Sequence, residues 1–313
     1  MQRYLRLFLT FCARHGRIIL VASLGVGLTS STLASLVKPH IDILIALLLF
    51  AACLRVGPHQ VIGAVRDLKA SLAFTVLLQV GLPLLIIFAG WLAGLDAMLV
   101  LPLALLTAAP ALSGSPHLVT LMGFEPAPAL RQLVVGTALL PLTILPVFTL
   151  LPELGDITSI IWSSLRLLMV ITVAAMLAFA IRLTIMKAPS NDHLMQMDGA
   201  STILLAIVVV GLMAAIQSEL ASNPLNVLIM LGVAFGANFG LQIITTKILS
   251  NTGASAYAIP IGIIAGNRNI ALFLTALPAA TTQSLLLFIA CYQIPMYLTP
   301  IIMKRFYQRV SRS

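Results

Sequence analysis

Two stretches of this chain forbid a continuous helix inside apolar segments long enough to cross a bilayer. The first reads Pro110-Ala111-Leu112-Ser113-Gly114-Ser115-Pro116-His117. The second runs from Pro260 through Gly262 and Gly266 to Asn267-Arg268-Asn269. Proline removes an N–H and clashes with the preceding turn, while glycine gives up helical order readily. Backbone left unpaired at membrane depth is costly unless it is buried in protein or lines a cavity. Two such interruptions at corresponding places in two halves of a chain point to the substrate site of a secondary transporter.

The apolar setting is a property of the whole chain. Of its 313 residues 60% are hydrophobic and 9% charged, with mean hydropathy +1.09. A soluble domain carries roughly 25% charged residues, so most of this surface faces something other than water. A span needs about 20 mostly apolar residues. Ten such stretches are expected, at 17–37, 40–57, 70–94, 96–123, 126–152, 157–183, 194–218, 223–249, 255–278 and 279–303. The short connections leave no room for a separate soluble domain. Residues 1–16 mix Arg3, Arg6 and Arg14 with Leu5, Phe8 and Phe11 and read as an interfacial basic segment; residues 304–313 read as a basic tail held at anionic headgroups.

Charge places the ends. Of the 18 Lys and Arg residues, Arg131, Arg166 and Arg268 lie within expected spans and Lys38 falls in an outer connection. The remaining fourteen, among them Arg55, Arg66, Lys69, Arg182, Lys187 and Lys247, fall on the side of both termini. Basic residues collect on the cytoplasmic side, which predicts a multi-pass protein of the cell (inner) membrane with both termini cytoplasmic. The same bias accounts for the net charge of +9 without a nucleic-acid partner. Five spans precede the connection Pro152-Glu153-Leu154-Gly155-Asp156 and five follow it, so 17–152 and 157–303 are expected to be inverted repeats with discontinuous fourth and ninth spans that cross.

The candidate chemistry gathers at the two breaks. Arg268 sits inside the second, between Asn267 and Asn269. A charge at a helix centre costs about 2.5–3.5 kcal/mol and needs a partner or cavity. Arg131 lies early in the fifth span and reads either as a second cation near the site or as an interfacial residue paired with Glu125. Arg166 reads as structural. His117 follows Pro116 and is a substrate contact, a proton-titrating group or a hydrogen-bonded core histidine. Ser113 and Ser115 offer hydroxyls, and the half-helix beginning near Pro116 points its N-terminal dipole into the same space. Gln79 and Asn238 are isolated amides that fix substrate or brace neighbouring helices. Glu125 is the one carboxylate expected near either break, so Arg, His, Asn and helix N-termini favour an anionic ligand. Cys12, Cys53 and Cys291 lack metal-ligand spacing, no metal or cofactor is expected, and no protein partner is implied.

Through Ala109-Pro110-Ala111-Leu112-Ser113-Gly114-Ser115 and Gly266-Asn267-Arg268-Asn269-Ile270-Ala271-Leu272, the chain resembles the bile acid:sodium symporter superfamily over nearly its whole length. The resemblance implies an all-α membrane fold, with a core of spans 3–5 and 8–10 carrying the broken helices. It also implies a panel of spans 1, 2, 6 and 7 moving in alternating access, and organic anions as substrates. Sodium-coupled members place a Ser-Asn pair where this chain has Ser115-Pro116. They have hydroxyl ligands where it has Ala129-Leu130-Arg131-Gln132-Leu133, and a Glu shortly before the second break where it has Gly262-Ile263-Ile264. The family's sodium ligands therefore do not carry over. The expectation is a carrier of small organic anions, with Ser113, Ser115, His117, Arg131, Asn267, Arg268 and Asn269 near the substrate and Gln79 and Asn238 accessory. Its rivals are a sodium-coupled symporter using backbone carbonyls and, remotely, an intramembrane enzyme built on Ser115 and His117. The arsenite-exporting branch of the superfamily uses a Cys in the first broken helix, and this chain has none there.

Overall fold

The computed structural model describes residues 2–64 and 68–312; Arg66, one of the loop charges, lies outside the described residues. In chain order the first helices are α1 (Gln2–Arg14), α2 (Gly16–Thr29), α3 (Ser31–Val37), α4 (Ile41–Ala64), α5 (Leu68–Val76) and α6 (Leu82–Leu92). They are followed by α7 (Ala97–Ala108), α8 (Ser115–Leu121), α9 (Ala127–Thr143), α10 (Leu145–Phe148) and α11 (Ile157–Thr184). The last are α12 (Asn191–Ser222), α13 (Pro224–Ser250), α14 (Ala258–Gly266), α15 (Ala279–Ile302) and α16 (Lys304–Val310). Helix takes up 86% of the structure and no strand forms among the described residues, so the fold is all-α. Among the described residues six helices are long and apolar enough to cross a membrane, or seven if the bent pair α1–α2 forms one span. By length and composition this is a multi-pass helical membrane protein.

The chain forms two compact units. The first comprises residues 1–63 and 169–227, the second 64–168 and 228–313. In the first, α12 packs along α1, α2 and α3. Helix α1 keeps Cys12 inside and leaves Tyr4, Leu5, Phe8 and Phe11 exposed, and it meets α2 at 87°. Arg55 pairs with Asp198 at 2.9 Å, joining α4 to α12. Helix α4 is kinked where Gly57 takes φ +71 before Pro58. The Arg182 guanidinium lies against that kink: a Cβ at position 57 would stand 2.6 Å from its Nη2. Its Nη1 donates to the Met186 carbonyl at 2.9 Å.

The expected boundary between the first two spans moves. The apolar run predicts one helix over 17–37, but the chain breaks at Ser30 (φ −111, ψ 92), whose hydroxyl accepts from the Leu33 amide. From there helix continues through the turn Lys38–His40 into α4, giving one apolar helix over Ser31–Gly63. Lys38 is therefore part of a helical segment, not of a connection. Pro39 opens a helical turn, where its missing N–H costs nothing, and the N-cap serine is the true stop.

In the second unit α5 and α6 form one apolar span with a π-helical turn, Leu77–Gly81, between them. The cause is Pro83: it has no N–H to offer residue 79, four positions back, and the ladder widens, with Leu82 N bonding Leu77 O. Gln79 rides on this turn. The expected fifth span, 126–152, is shorter and broken into α9 and α10, with Pro141 inside α9 and Pro146 inside α10. The fourth and ninth are each two short pieces. Helix α7 stops at Ala108 and α8 starts at Ser115; α14 stops at Gly266 and a 3-10 turn covers Ile270–Thr275. These pieces are buried where they approach the breaks: Ala104, Leu105, Ala108 and Val119 at the first, and Ile263, Ile264, Leu272 and Phe273 at the second.

Candidate functional site at the paired helix breaks

The two breaks pair with each other through their backbones. Ala111 and Arg268 form an antiparallel bridge. The Leu112 amide donates to the Asn267 carbonyl at 3.0 Å, and the Asn269 amide donates to the Pro110 carbonyl at 2.9 Å. Local chemistry opens each end for this pairing. Ala109, placed before Pro110, is pushed to an extended conformation (φ −61, ψ 152). Beyond Gly266 the chain leaves the helix at Asn267 (φ −121, ψ 87). These cross-bonds pair part of the backbone that each break frees, which an apolar surrounding favours.

The Arg268 side chain ties a carbonyl of each break to the other. It is 1% exposed. Its Nη1 donates to Ala109 O at 3.0 Å on the first break, and its Nε donates to Ala265 O at 3.3 Å on the second. Nη2 is buried without a hydrogen-bond partner, and no carboxylate lies within 4 Å of the guanidinium among the described residues. A full positive charge therefore rests on carbonyl dipoles alone, with one donor face unused. A buried charge in this condition is expensive, and an anion presented to Nη2 would relieve it.

Around the second break is a buried polar network. Asn238 Nδ2 and the Tyr292 hydroxyl both donate to Gly266 O in short contacts. The Tyr292 oxygen accepts from the Arg268 amide at 3.2 Å. Asn267 Nδ2 donates to Ile263 O at 2.7 Å, and its Oδ1 accepts from the Thr299 hydroxyl at 3.2 Å. Gln242 Nε2 donates to Asn238 Oδ1 at 2.7 Å, while its Oε1 accepts from the Tyr307 hydroxyl at 2.9 Å. Close packing of α14 on α13 makes this possible. A Cβ on Gly266 would fall 2.1 Å from the Asn238 carbonyl oxygen, so only glycine fits there.

The expected site residues separate into groups. Asn267 and Arg268 are buried at the crossover, and half-buried Asn269 joins it through its amide. Ser113 lies half-buried in the turn of the first break. Ser115 is fully buried, and its hydroxyl is bound to Leu112 O at 2.6 Å. The sequence places it in an unwound stretch with Pro116. Ser115 and Pro116 open α8, the half-helix expected to begin near Pro116, because a proline in the first turn starts a helix readily. That hydroxyl works as a local clamp on the break, and His117 is exposed on α8. Arg131 is half-buried in the second turn of α9. Asn238 is a brace of the second break. Gln79 accepts from the Thr143 hydroxyl at 3.0 Å and keeps a buried, unpartnered Nε2.

Sequence reasoning passed over Tyr292, Thr299, Gln242, Gln132 and Thr75. Gln132 donates to Thr75 at 2.9 Å, with its Oε1 buried and unpartnered. One signal was available: Asn238 and Gln242 are polar residues four apart on an apolar helix, hence on one face. A cleft of about 610 Å³ lies elsewhere, at the connection Thr184–Pro189. The crossover is the stronger candidate, since that cleft is lined by a connecting segment and no buried, unpartnered donor belongs to its lining. No family model matches the chain, and no curated protein matches its sequence.

Proposed function

We propose that this protein is a secondary transporter of small organic anions, working by alternating access on the ten-span, inverted-repeat plan of the bile acid:sodium symporter superfamily. One observation carries the reading. Two interrupted apolar helices pair at their breaks, and a buried guanidinium there has an unused donor and no carboxylate partner among the described residues. Helix breaks that supply dipoles and donors at depth are the recurrent ligand sites of such carriers. The division of the chain into units 1–63 with 169–227 and 64–168 with 228–313 is in keeping with a panel and a core.

In this reading Arg268 does the work that a bound cation does in sodium-coupled relatives. Such a cation would need carbonyl and carboxylate oxygens. Here the carbonyls of Ala109 and Ala265 already accept from Arg268, which counts against the rival sodium-coupled reading. A guanidinium does not leave with the substrate, so the cycle needs no sodium.

The test begins with a thermal-shift screen of the purified protein against carboxylates and sulfonates, since a ligand of the native state raises the unfolding temperature. The best ligand is then measured with sodium replaced by choline at constant ionic strength. Unchanged affinity is expected. A fall of about tenfold or more, roughly 1.4 kcal/mol, would make sodium a ligand and overturn the substituted-cation reading.

A further inference from the structure

We propose that the C-terminal helix α16 carries a binding site for the phosphate of an anionic lipid headgroup. Arg305, Arg309 and Arg312, with Gln308, line a cleft of about 160 Å³. Arg305 and Arg309, four residues apart, share one face of α16, and Arg312 follows in the turn beyond its end, with its amide bonded to Arg309 O at 3.1 Å. All three are exposed, and among the described residues no carboxylate lies within 4 Å of any of them. Their charges are therefore available to an outside anion.

The opposite face holds the helix still. Tyr307 is fully buried and donates to Gln242 Oε1 at 2.9 Å. Its ring packs edge-on to Phe124 at 6.4 Å and against Phe306 at 5.1 Å. A short helix of seven residues is marginal alone; this anchor pre-forms the cleft, so little ordering is left for the ligand to impose.

Position selects the source of the phosphate. Helix α16 begins two residues after the apolar span Thr281–Ile302 ends. The guanidinium groups thus emerge at the level where a bilayer presents its headgroups. Basic clusters directly following a span bind anionic lipid there, and guanidinium forks match phosphate oxygens.

The experiment uses the full chain in a neutral detergent, titrated with dioctanoyl phosphatidylglycerol, dioctanoyl phosphatidylcholine or inorganic phosphate. The native protein should bind the glycerol lipid at least about tenfold more tightly than the choline lipid. Replacing Arg305, Arg309 and Arg312 together by Gln should weaken that binding roughly fivefold per arginine. A charge-matched variant with Lys69, Lys187 and Lys247 changed to Gln should bind as the native protein does. Equal weakening in both variants would reduce the effect to overall surface charge and overturn the site. So would unchanged binding by the arginine variant. Inorganic phosphate binding as tightly as the anionic lipid would assign the cleft to free phosphate and overturn the lipid.

Discussion

Two buried arginines lie at two interrupted helices in this protein, and they bond differently. At the α4 kink, Arg182 lies against Gly57 and donates to Met186, only four residues along its own chain. At the paired breaks, Arg268 reaches Ala109, 159 residues away in sequence, and Ala265 beside it. Arg182 stands near the end of α11 and keeps 9% exposure, against 1% for Arg268. Long basic side chains near helix ends can reach the interface. Arg182 is thus a local brace, with its Nε also buried and without a hydrogen-bond partner, whereas Arg268 joins two remote segments. A ligand is to be sought at the paired breaks, where the cation bridges two segments remote in sequence.

The largest effect should come from closing the space at each interruption. Gly266→Ala drives a methyl into the Asn238 carbonyl and should cost about 3 kcal/mol or more, read as a fall in the thermal unfolding temperature. Gly57→Ala meets positive φ and the guanidinium together and should cost about 1–3 kcal/mol. If both variants are as stable as the native protein, the two close approaches do not matter to folding.

Next come the cations themselves. Arg268→Gln should weaken anion binding about tenfold or more. Arg182→Gln should lower the unfolding temperature and leave affinity unchanged, and exposed Arg166→Gln should do less to either. Equal losses of binding from positions 182 and 268 would erase the contrast between the two arginines. A finer probe is Tyr292→Phe, which removes the donor to Gly266 O and the acceptor for the Arg268 amide. Loss of a buried partner costs about 1–3 kcal/mol, and unfolding in denaturant measures it.

The smallest effect lies outside both interruptions. Asp156 opens α11, with its carboxylate accepting from the Ser159 hydroxyl at 2.6 Å and amide at 2.9 Å. These bonds, the hydroxyl first, hold its pKa below the ordinary value. The stability they add is present above the unfolded value of about 3.9 and is lost as pH falls through the lower folded value. Asp156→Asn should flatten that acid limb alone, in unfolding followed from pH 7 downward.

The membrane class and the positions of the breaks at Pro110 and at Gly266–Asn269 were legible in the chain alone. Those features rest on local chemistry: apolar length, a missing proline N–H, and an Arg with no acidic neighbour in the chain. Asn267 and Arg268 stood out there too, before any partner was known. Less of the rest was legible. The stop at Ser30 was hidden because apolar residues run on both sides of it. The π turn at Leu77–Gly81 required knowing that the helix continues through Pro83. Folding in three dimensions brings Ser115 onto Leu112, Asn238 onto Gly266, and Tyr292, Thr299 and Gln242 into the same network. Hydropathy weighs each residue alone, whereas a hydrogen bond is a fact about two residues. In this protein the deciding pairs, Asn238 with Gly266 and Ala109 with Arg268, are 28 and 159 positions apart, and no local pattern carries that information.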